Sequence, residues 1–245
     1  MTEAQVTCSL KPVCPRLRVV AVVLAAGTAS RMGGQPKCLL KWEGQSLLER
    51  LIDALEASGV DETVLVLGHH ADTLERSLKK SSVRLNQSPV QDRMNLHTVL
   101  NPEPVNGQNS SLHVGLAKAQ TLNPDWLLVG LADQPLIDAA DLKNLIAAVK
   151  HRPPHTQMLQ PSVNGQPGNP VMMQAQVMHD LLNAARDIGA HNPSALPGGK
   201  TWRQEHPELF HQWITTNVHY RIDIDSPQDM VDFKAQFGIE LVWDI

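Results

Sequence analysis

Three glycines, Gly27, Gly33 and Gly34, fall within one short stretch, GTASRMGGQPK, that also carries Arg31 and Lys37. Glycines this close let the backbone bend tightly and come near another group. Consecutive exposed amides in such a loop form an anion cradle. Arg31 and Lys37 add two fixed positive charges, and together these features match the needs of a triphosphate. No Gly-Lys-Ser/Thr follows the glycines, and the spacing from Gly27 to Gly33 does not fit G-x-G-x-x-G, so neither standard phosphate fingerprint applies. Far along the chain stand Asp133, in LADQPL, and the pair Asp223 and Asp225, in RIDIDSPQD. Carboxylates meeting beside one phosphate loop repel each other unless a cation joins them. Mg²⁺, an oxygen-seeking ion that keeps company with phosphates, suits that place. The plainer reading is a tight strand-to-helix turn with Arg31 and Lys37 facing water, and with Asp133 and Asp225 capping helices.

These residues need elements to hold them. Leu17–Ala26 is apolar except for Arg18, which suits a strand buried on both faces of a parallel sheet. A loop leaving the carboxyl end of such a strand sits where open α/β sheets bind ligands. Ser46 with Glu49 forms a capping box for a helix to Ser58, and Gly59 ends it. Glu62–Leu67 and Trp126–Ala132 read as further buried strands, Val83–Leu85 and Leu96–Leu100 as shorter ones. Between them, Asn86–Asn95 is polar and loop-like. His69 and His70 follow the second strand and open a helix near Ala71; adjacent histidines diverge on most backbones, so a metal role is disfavoured. In Gly107-Gln108-Asn109-Ser110-Ser111-Leu112, Ser110 or Ser111 is an N-cap candidate whose helix start welcomes anions or base edges. Asp138 caps a helix from Ala139 to Lys150. Asn164-Gly165 marks a hairpin, with Pro167 to Met173 returning and a helix over 174–183. Met172, Met173 and Met178 read as core filling. Trp213–Thr216 is a strand. Ile222 and Ile224 alternate with Asp223 and Asp225 as in a strand, putting both carboxylates on one face. Ser226 then caps a last helix, with Pro227 at its first position. The order predicts a doubly wound, mostly parallel α/β sheet with a small hairpin excursion, as one domain over 17–245 behind a flexible arm at 1–16.

With 245 residues and 42% hydrophobic content the chain suffices for a proper core. Its net charge of −4 offers nothing to nucleic acid. The apolar runs are too short for a bilayer, and residues 1–16 lack the apolar core of a signal peptide. Cys8, Cys14 and Cys38 have no metal spacing and fit a reducing cytoplasm.

The whole first stretch resembles the signature L-A-[AG]-G-x-S-x-R-M-G-x-x-x-K of the nucleotidyltransferases that build molybdenum cofactor dinucleotides. Leu24, Ala25, Ala26, Gly27, Arg31, Met32, Gly33 and Lys37 match, while Ala29 stands where the family has Ser. The likeness runs from Leu17 to Phe237 and is sharpest at Leu24–Lys37, Gly107–Leu112, Leu131–Leu136 and Asp223–Asp229. It is identified as a resemblance to molybdenum cofactor cytidylyltransferases of the MobA-like group. That resemblance implies transfer of CMP from CTP to a molybdopterin-type acceptor, with Mg²⁺ as cofactor. It implies catalytic roles for Arg31, Lys37 and Asp133, and nucleotide contacts from Leu24, Ala25, Ala26, Gly27, Arg31, Gly33, Lys37, Gly107, Asn109, Ser110 and Ser111. Metal ligands would be Asp133 with Asp223, then Asp225. Gly168, Asn169 and Pro170 would meet the acceptor, with Asn169 in place of a family His, and Arg186-Asp187-Ile188-Gly189-Ala190 would form a turn. A client molybdoenzyme or its chaperone is an implied partner. Ala26, where GTP-using relatives carry Gly, favours the smaller base. Two other classes remain open: transfer to a sugar or polyol phosphate, and a non-catalytic cofactor-binding chaperone.

Overall fold

A computed structural model describes residues 16–85, 94–189 and 195–243. Strand β1 (Val19–Ala25) is its centre. It lies between two parallel neighbours, β4 (Glu62–Leu67) and β6 (Trp126–Leu131). Val19, Ala21 and Val23 enter one core layer, and Val20 and Val22 the other. A strand covered on both faces has no polar side, which accounts for the unbroken apolar run.

The first layer is closed by α1 (Leu47–Ser58), α2 (Ala71–Leu85) and α4 (Ala139–Lys150). The second is closed by α3 (Gln108–Gln120), α5 (Ala175–Gly189) and α6 (Gly199–Glu205). Strands β2 (Lys41–Trp42) and β3 (Gln45–Ser46) form a separate small hairpin. Within the main sheet, β5 (Asn95–Leu100) lies beyond β4 as an edge. On the other side come β9 (Val171–Gln174), β7 (Met158–Val163) and β10 (Phe210–Thr215), giving the order β10-β7-β9-β6-β1-β4-β5. Strand β9 runs antiparallel to both neighbours, and β8 (Gln166–Pro167) pairs with β7. The expected doubly wound, mostly parallel sheet is present. The hairpin is no excursion, however: β7 and β9 continue the main sheet.

Ser46 caps α1 in a full capping box with Glu49, and Gly59 closes the helix at φ 85°. Asp138 caps α4 in the same way with Asp141. Four expectations need correction. Val83–Leu85 lies within α2, not in a strand. Asn95 opens β5, while residues 86–93 of the polar stretch lie outside the described residues, as do residues 1–15 of the expected 1–16 arm. Arg186–Gly189 belongs to α5, because with no glycine at Arg186 the helix runs on to Gly189. Residues 222–225 form no strand: a 3-10 turn, Val218–Arg221, leads into extended chain that pairs with no neighbouring strand. The alternation still holds there, since Ile224 is buried in a third cluster with Leu40, Leu47 and Phe233 of α7 (Pro227–Phe237).

Helix α3 packs very close to the sheet. A β-carbon on Gly115 would lie 2.5 Å from Val22 Cγ1 and 2.8 Å from Val66 Cγ2. Overfilling a packed core costs about 1–3 kcal/mol. Gly115→Val is therefore expected to lower stability by that amount in denaturant unfolding and to displace Gly107 at the head of α3; a midpoint equal to the parent's would contradict this packing.

Candidate active site

The carboxyl ends of β1 and β6 open side by side, and a few backbone hydrogen bonds fix the segments that leave them. The Ala132 amide donates to the Leu24 carbonyl at 3.3 Å, extending the pairing past both strand ends. The Ile224 amide donates to the Asp133 carbonyl at 3.1 Å. That one bond ties the chain bearing Asp223 and Asp225 to the chain bearing Asp133. After β1, the loop turns through Ala29 (φ 53°), Gly33 (φ 64°) and Gly34 (φ 79°). The amides of Met32 and Gly34 both donate to the Ala29 carbonyl, closing the loop on itself. Pro36 then leads into a short 3-10 turn, Lys37–Leu39, that brings Lys37 back into the opening.

Lys37 is the hub. Its Nζ lies 2.5 Å from Asp133 Oδ2 and 2.5 Å from Asp225 Oδ1. Arg31 Nη2 donates to the other oxygen, Asp225 Oδ2, at 2.9 Å. Asp225 does not cap α7. Ser226 does that with Asp229, whose carboxylate also accepts from the Asp225 amide. The Asp225 side chain is thereby left to the crevice.

The charges shift one another. Burial alone would lower the Lys37 ammonium, but Asp133 and Asp225 outweigh it and raise it above the ordinary lysine value. Burial works to raise the Asp225 carboxyl, yet Lys37 and Arg31 hold it below the usual range. Partial burial, then the charges of Asp133 and Asp225, push the Asp223 carboxyl up against the pull of Lys37. Asp133 Oδ1 is buried and has no hydrogen-bond partner among the described residues. A buried, unpartnered carboxylate oxygen beside two further carboxylates fits a hard divalent cation. Next to Lys37, burial and then Asp133 push the Cys38 thiol up to about 12, so it is chemically quiet.

A cavity of about 610 Å³ runs over this cluster. Of the residues expected at the site, Leu24, Ala25, Ala26, Gly27, Arg31, Lys37, Gly107, Ser111, Asp133, Asp223 and Asp225 line it. Gly33 serves the turn behind it. Asn109 is turned away, its amide donating to the Leu196 carbonyl at 2.8 Å. Neither Ser110 nor Ser111 is the cap of α3: Gly107 is, at φ 92°. Both serine hydroxyls instead accept from Asn101 Nδ2 at 2.9 Å, which locks the loop onto the end of β5. Gly168, Asn169 and Pro170 do not line this cavity; the Asn169 amide donates to the Tyr220 carbonyl at 2.8 Å, and the Asn169 carbonyl accepts from Gln134 Nε2 at 3.3 Å, next to Asp133 in sequence.

Sequence reading placed Gly68, His69 and His70 only near the site, and the structure shows what Gly68 and His70 touch. A β-carbon on Gly68 would sit 2.7 Å from the Ala26 carbonyl oxygen, so glycine lets the β4 loop press against the β1 loop. His70 Nε2 lies 3.2 Å from the Thr28 carbonyl. The Gly-His-His string was a visible signal, but its partner was not. Val105, largely exposed at the cavity mouth, carried no signal at all.

A glycine-rich loop, two basic groups and three carboxylates gathered where two adjacent parallel strands end suit a nucleotide-handling α/β protein of the transferase type. Sequence comparison agrees: the chain belongs to the MobA-like NTP transferase family, whose domain model matches residues 21–204. Nicotine blue oxidoreductase from Paenarthrobacter nicotinovorans is 34% identical over 135 residues, covering 55% of this chain and 58% of that protein. A molybdenum cofactor guanylyltransferase from Pseudomonas syringae is 28% identical over 173 residues, covering 70% of this chain and 75% of that one. The chain thus spans less than two thirds of the first of these relatives. Among solved structures, a Mycobacterium tuberculosis protein in complex with manganese superposes with a TM-score of 0.57 at 22% identity, over 88% of this chain and 97% of that one. No helix among the described residues is long and apolar enough to cross a membrane.

The raised Asp223 carboxyl yields a test of the charge cluster. A carboxyl whose folded value exceeds its unfolded value favours the fold when protonated, and that contribution is lost as pH rises. Asp223→Asn is therefore expected to raise the melting temperature of the ligand-free protein at neutral pH. The gain should vanish below about pH 4, where an ordinary aspartate is itself protonated. A variant less stable at pH 7 than the parent would contradict the crowding of carboxylates.

Proposed function

We propose that this chain is a Mg²⁺-dependent nucleotidyltransferase that moves CMP from CTP to a molybdopterin-type acceptor, releasing pyrophosphate. The observation that carries the reading is the meeting of Lys37, Asp133 and Asp225 under the glycine-rich loop, with Asp223 beside them. Asp133 and Asp223, backed by Asp225, would hold the Mg²⁺, which when bound neutralises triphosphate oxygens. The orphaned Asp133 oxygen supports that assignment.

The remaining steps fall to the chain's own residues. An acceptor phosphate oxygen attacks the α-phosphorus in line and pyrophosphate departs. Both reactants are anions, so neutralising charge and aligning the two matter more than covalent help. Lys37, paired with carboxylates in the ligand-free chain, turns to the α-phosphate once those carboxylates are otherwise engaged. Arg31 leaves Asp225 for the β- and γ-phosphates. Loop amides complete the cradle, apart from those of Met32 and Gly34, which already donate to the Ala29 carbonyl. No general base is required, because the acceptor phosphate is ionised at neutral pH.

A molybdenum cofactor acceptor is supported by the guanylyltransferase relative, which covers most of both chains. Preference for CTP is assigned to Ala26, which lines the cavity and whose methyl group would leave less room for a purine than glycine. Gly168, Asn169 and Pro170 are the proposed acceptor contacts, held near Asp133 through Gln134. There Asn169 offers hydrogen bonds but no charge, so a phosphorylated acceptor of another kind is the second reading.

Pyrophosphate release should be measured with each of the four nucleoside triphosphates, with and without molybdopterin. The parent is expected to work best with CTP plus molybdopterin. Asp133→Ala is expected to lose at least about a hundredfold in rate, as when one electrostatic partner of a transition state is removed, with melting unchanged or raised. Ala26→Gly is expected to shift preference towards GTP. An active Asp133→Ala protein would end the metal assignment, and an unchanged CTP:GTP ratio would end the role given to Ala26.

A further inference from the structure

Asp141 lies outside the cavity, on the first turn of α4, yet it is only 4% exposed. Buried carboxylates need partners, and this one has three. Its Oδ1 accepts from Asn217 Nδ2 at 2.5 Å, and its Oδ2 lies 2.8 Å from His219 Nδ1. The Asp138 amide donates to the same Oδ2 at 3.2 Å. The backbone takes part as well: the Tyr220 hydroxyl donates to the Asp141 carbonyl at 2.7 Å. Tyr220 is itself 1% exposed and meets Trp213 edge-on.

Asp138, Asp141 and His219 offer ligand atoms close together, in the manner of a metal site. The donors argue otherwise. Both oxygens of Asp141 already face protein donors, and Asp138 Oδ1 accepts the Ala140 and Asp141 amides at 2.8 and 2.9 Å. A cation there would meet N–H groups aimed at the same oxygens. The cluster is a clamp between two pieces of chain.

The pieces that the clamp joins give it a function. Asp133 is followed directly by Gln134–Asp138, which ends in the cap of α4. Asp223 and Asp225 lie just beyond Asn217–Tyr220, which Asp141 grips. Residues 222–225 have no ladder of their own, so their position depends on their anchors. Downstream the anchors are the Ile224 amide on the Asp133 carbonyl and the burial of Ile224; upstream they are the Asn169 amide on the Tyr220 carbonyl and the side-chain grip of Asp141 on Asn217 and His219. Gln134 supports the same joint, its Nε2 donating to the Tyr220 carbonyl at 3.4 Å and to the Asn169 carbonyl at 3.3 Å. We infer that Asp141 is a positioning residue: by holding Asn217, His219 and Tyr220 on the cap of α4, it sets the spacing between Asp133 and the Asp223–Asp225 pair, and so the affinity for the divalent cation. This inference rests on the cation reading proposed above.

The test is Mn²⁺ binding, followed by electron paramagnetic resonance, in the full chain with CTP present. Partners that orient metal ligands are worth about 10–100-fold in affinity. Asp141→Asn and, from the other side of the clamp, Asn217→Ala are each expected to weaken Mn²⁺ by a factor in that range. Turnover at low Mg²⁺ should fall and return when Mg²⁺ is raised, a recovery that a generally damaged fold would not show. Should Asp141→Asn fail to fold, Asn217→Ala decides alone. Unchanged Mn²⁺ affinity in the folded variants would overturn the inference and leave the cation site standing. Loss of one of two bound ions with the remaining affinity intact would also overturn it, making the cluster a second metal site. A parent protein that binds no Mn²⁺ would remove the cation reading and this inference together.

Discussion

The structure depends on one concentration of charge. Lys37 sits within hydrogen-bonding distance of two carboxylates from segments about a hundred and two hundred residues away in sequence. A third carboxylate, Asp223, crowds them. Such a cluster is a poor way to stabilise a fold, because desolvating charges offsets most of what their attraction returns. Its presence at the carboxyl ends of two central strands is better understood as a site in waiting. Every element nearby serves to keep those charges together: the tight loop after β1, the bond from Ile224 to Asp133, and the cap of α4.

The same constraint explains the departures from regular structure. Asp223 and Asp225 are carried on extended chain outside the sheet, where a strand would have had to satisfy its own ladder. Ile222 and Ile224 root that chain in the third apolar cluster, so the carboxylates turn outward by default. The Ser226 capping box removes the competing role that an aspartate before a helix would otherwise take. Gly68 and Gly115 do parallel work in the background, allowing the β4 loop and α3 to approach closely enough to frame the cavity.

Much of this was legible in the residues alone, for identifiable reasons. Buried parallel strands announce themselves as apolar runs, and capping boxes such as Ser46/Glu49 and Asp138/Asp141 are local patterns. The loop residues and Asp133 could be named from their place after buried strands, and the Asp223–Asp225 pair from its likeness to the family's closing motif. What sequence could not supply was partnership across distance. Nothing local tells that Asn109 turns to Leu196, that Ser110 and Ser111 answer Asn101, or that Asp141 grips Asn217 and His219. The strand read into 222–225 failed for a related reason: alternation reports which side is buried, not whether a neighbouring strand is there to pair.

Placement of the cation is the central claim. The most direct measurement is anomalous diffraction from crystals grown with Mn²⁺ and a non-hydrolysable CTP analogue. One manganese peak is expected between the carboxylates of Asp133 and Asp223, with the triphosphate lying along the Gly27–Arg31 amides and Lys37 drawn to the α-phosphate. A peak confined to Asp138, Asp141 and His219, or a nucleotide bound away from the β1 loop, would contradict it.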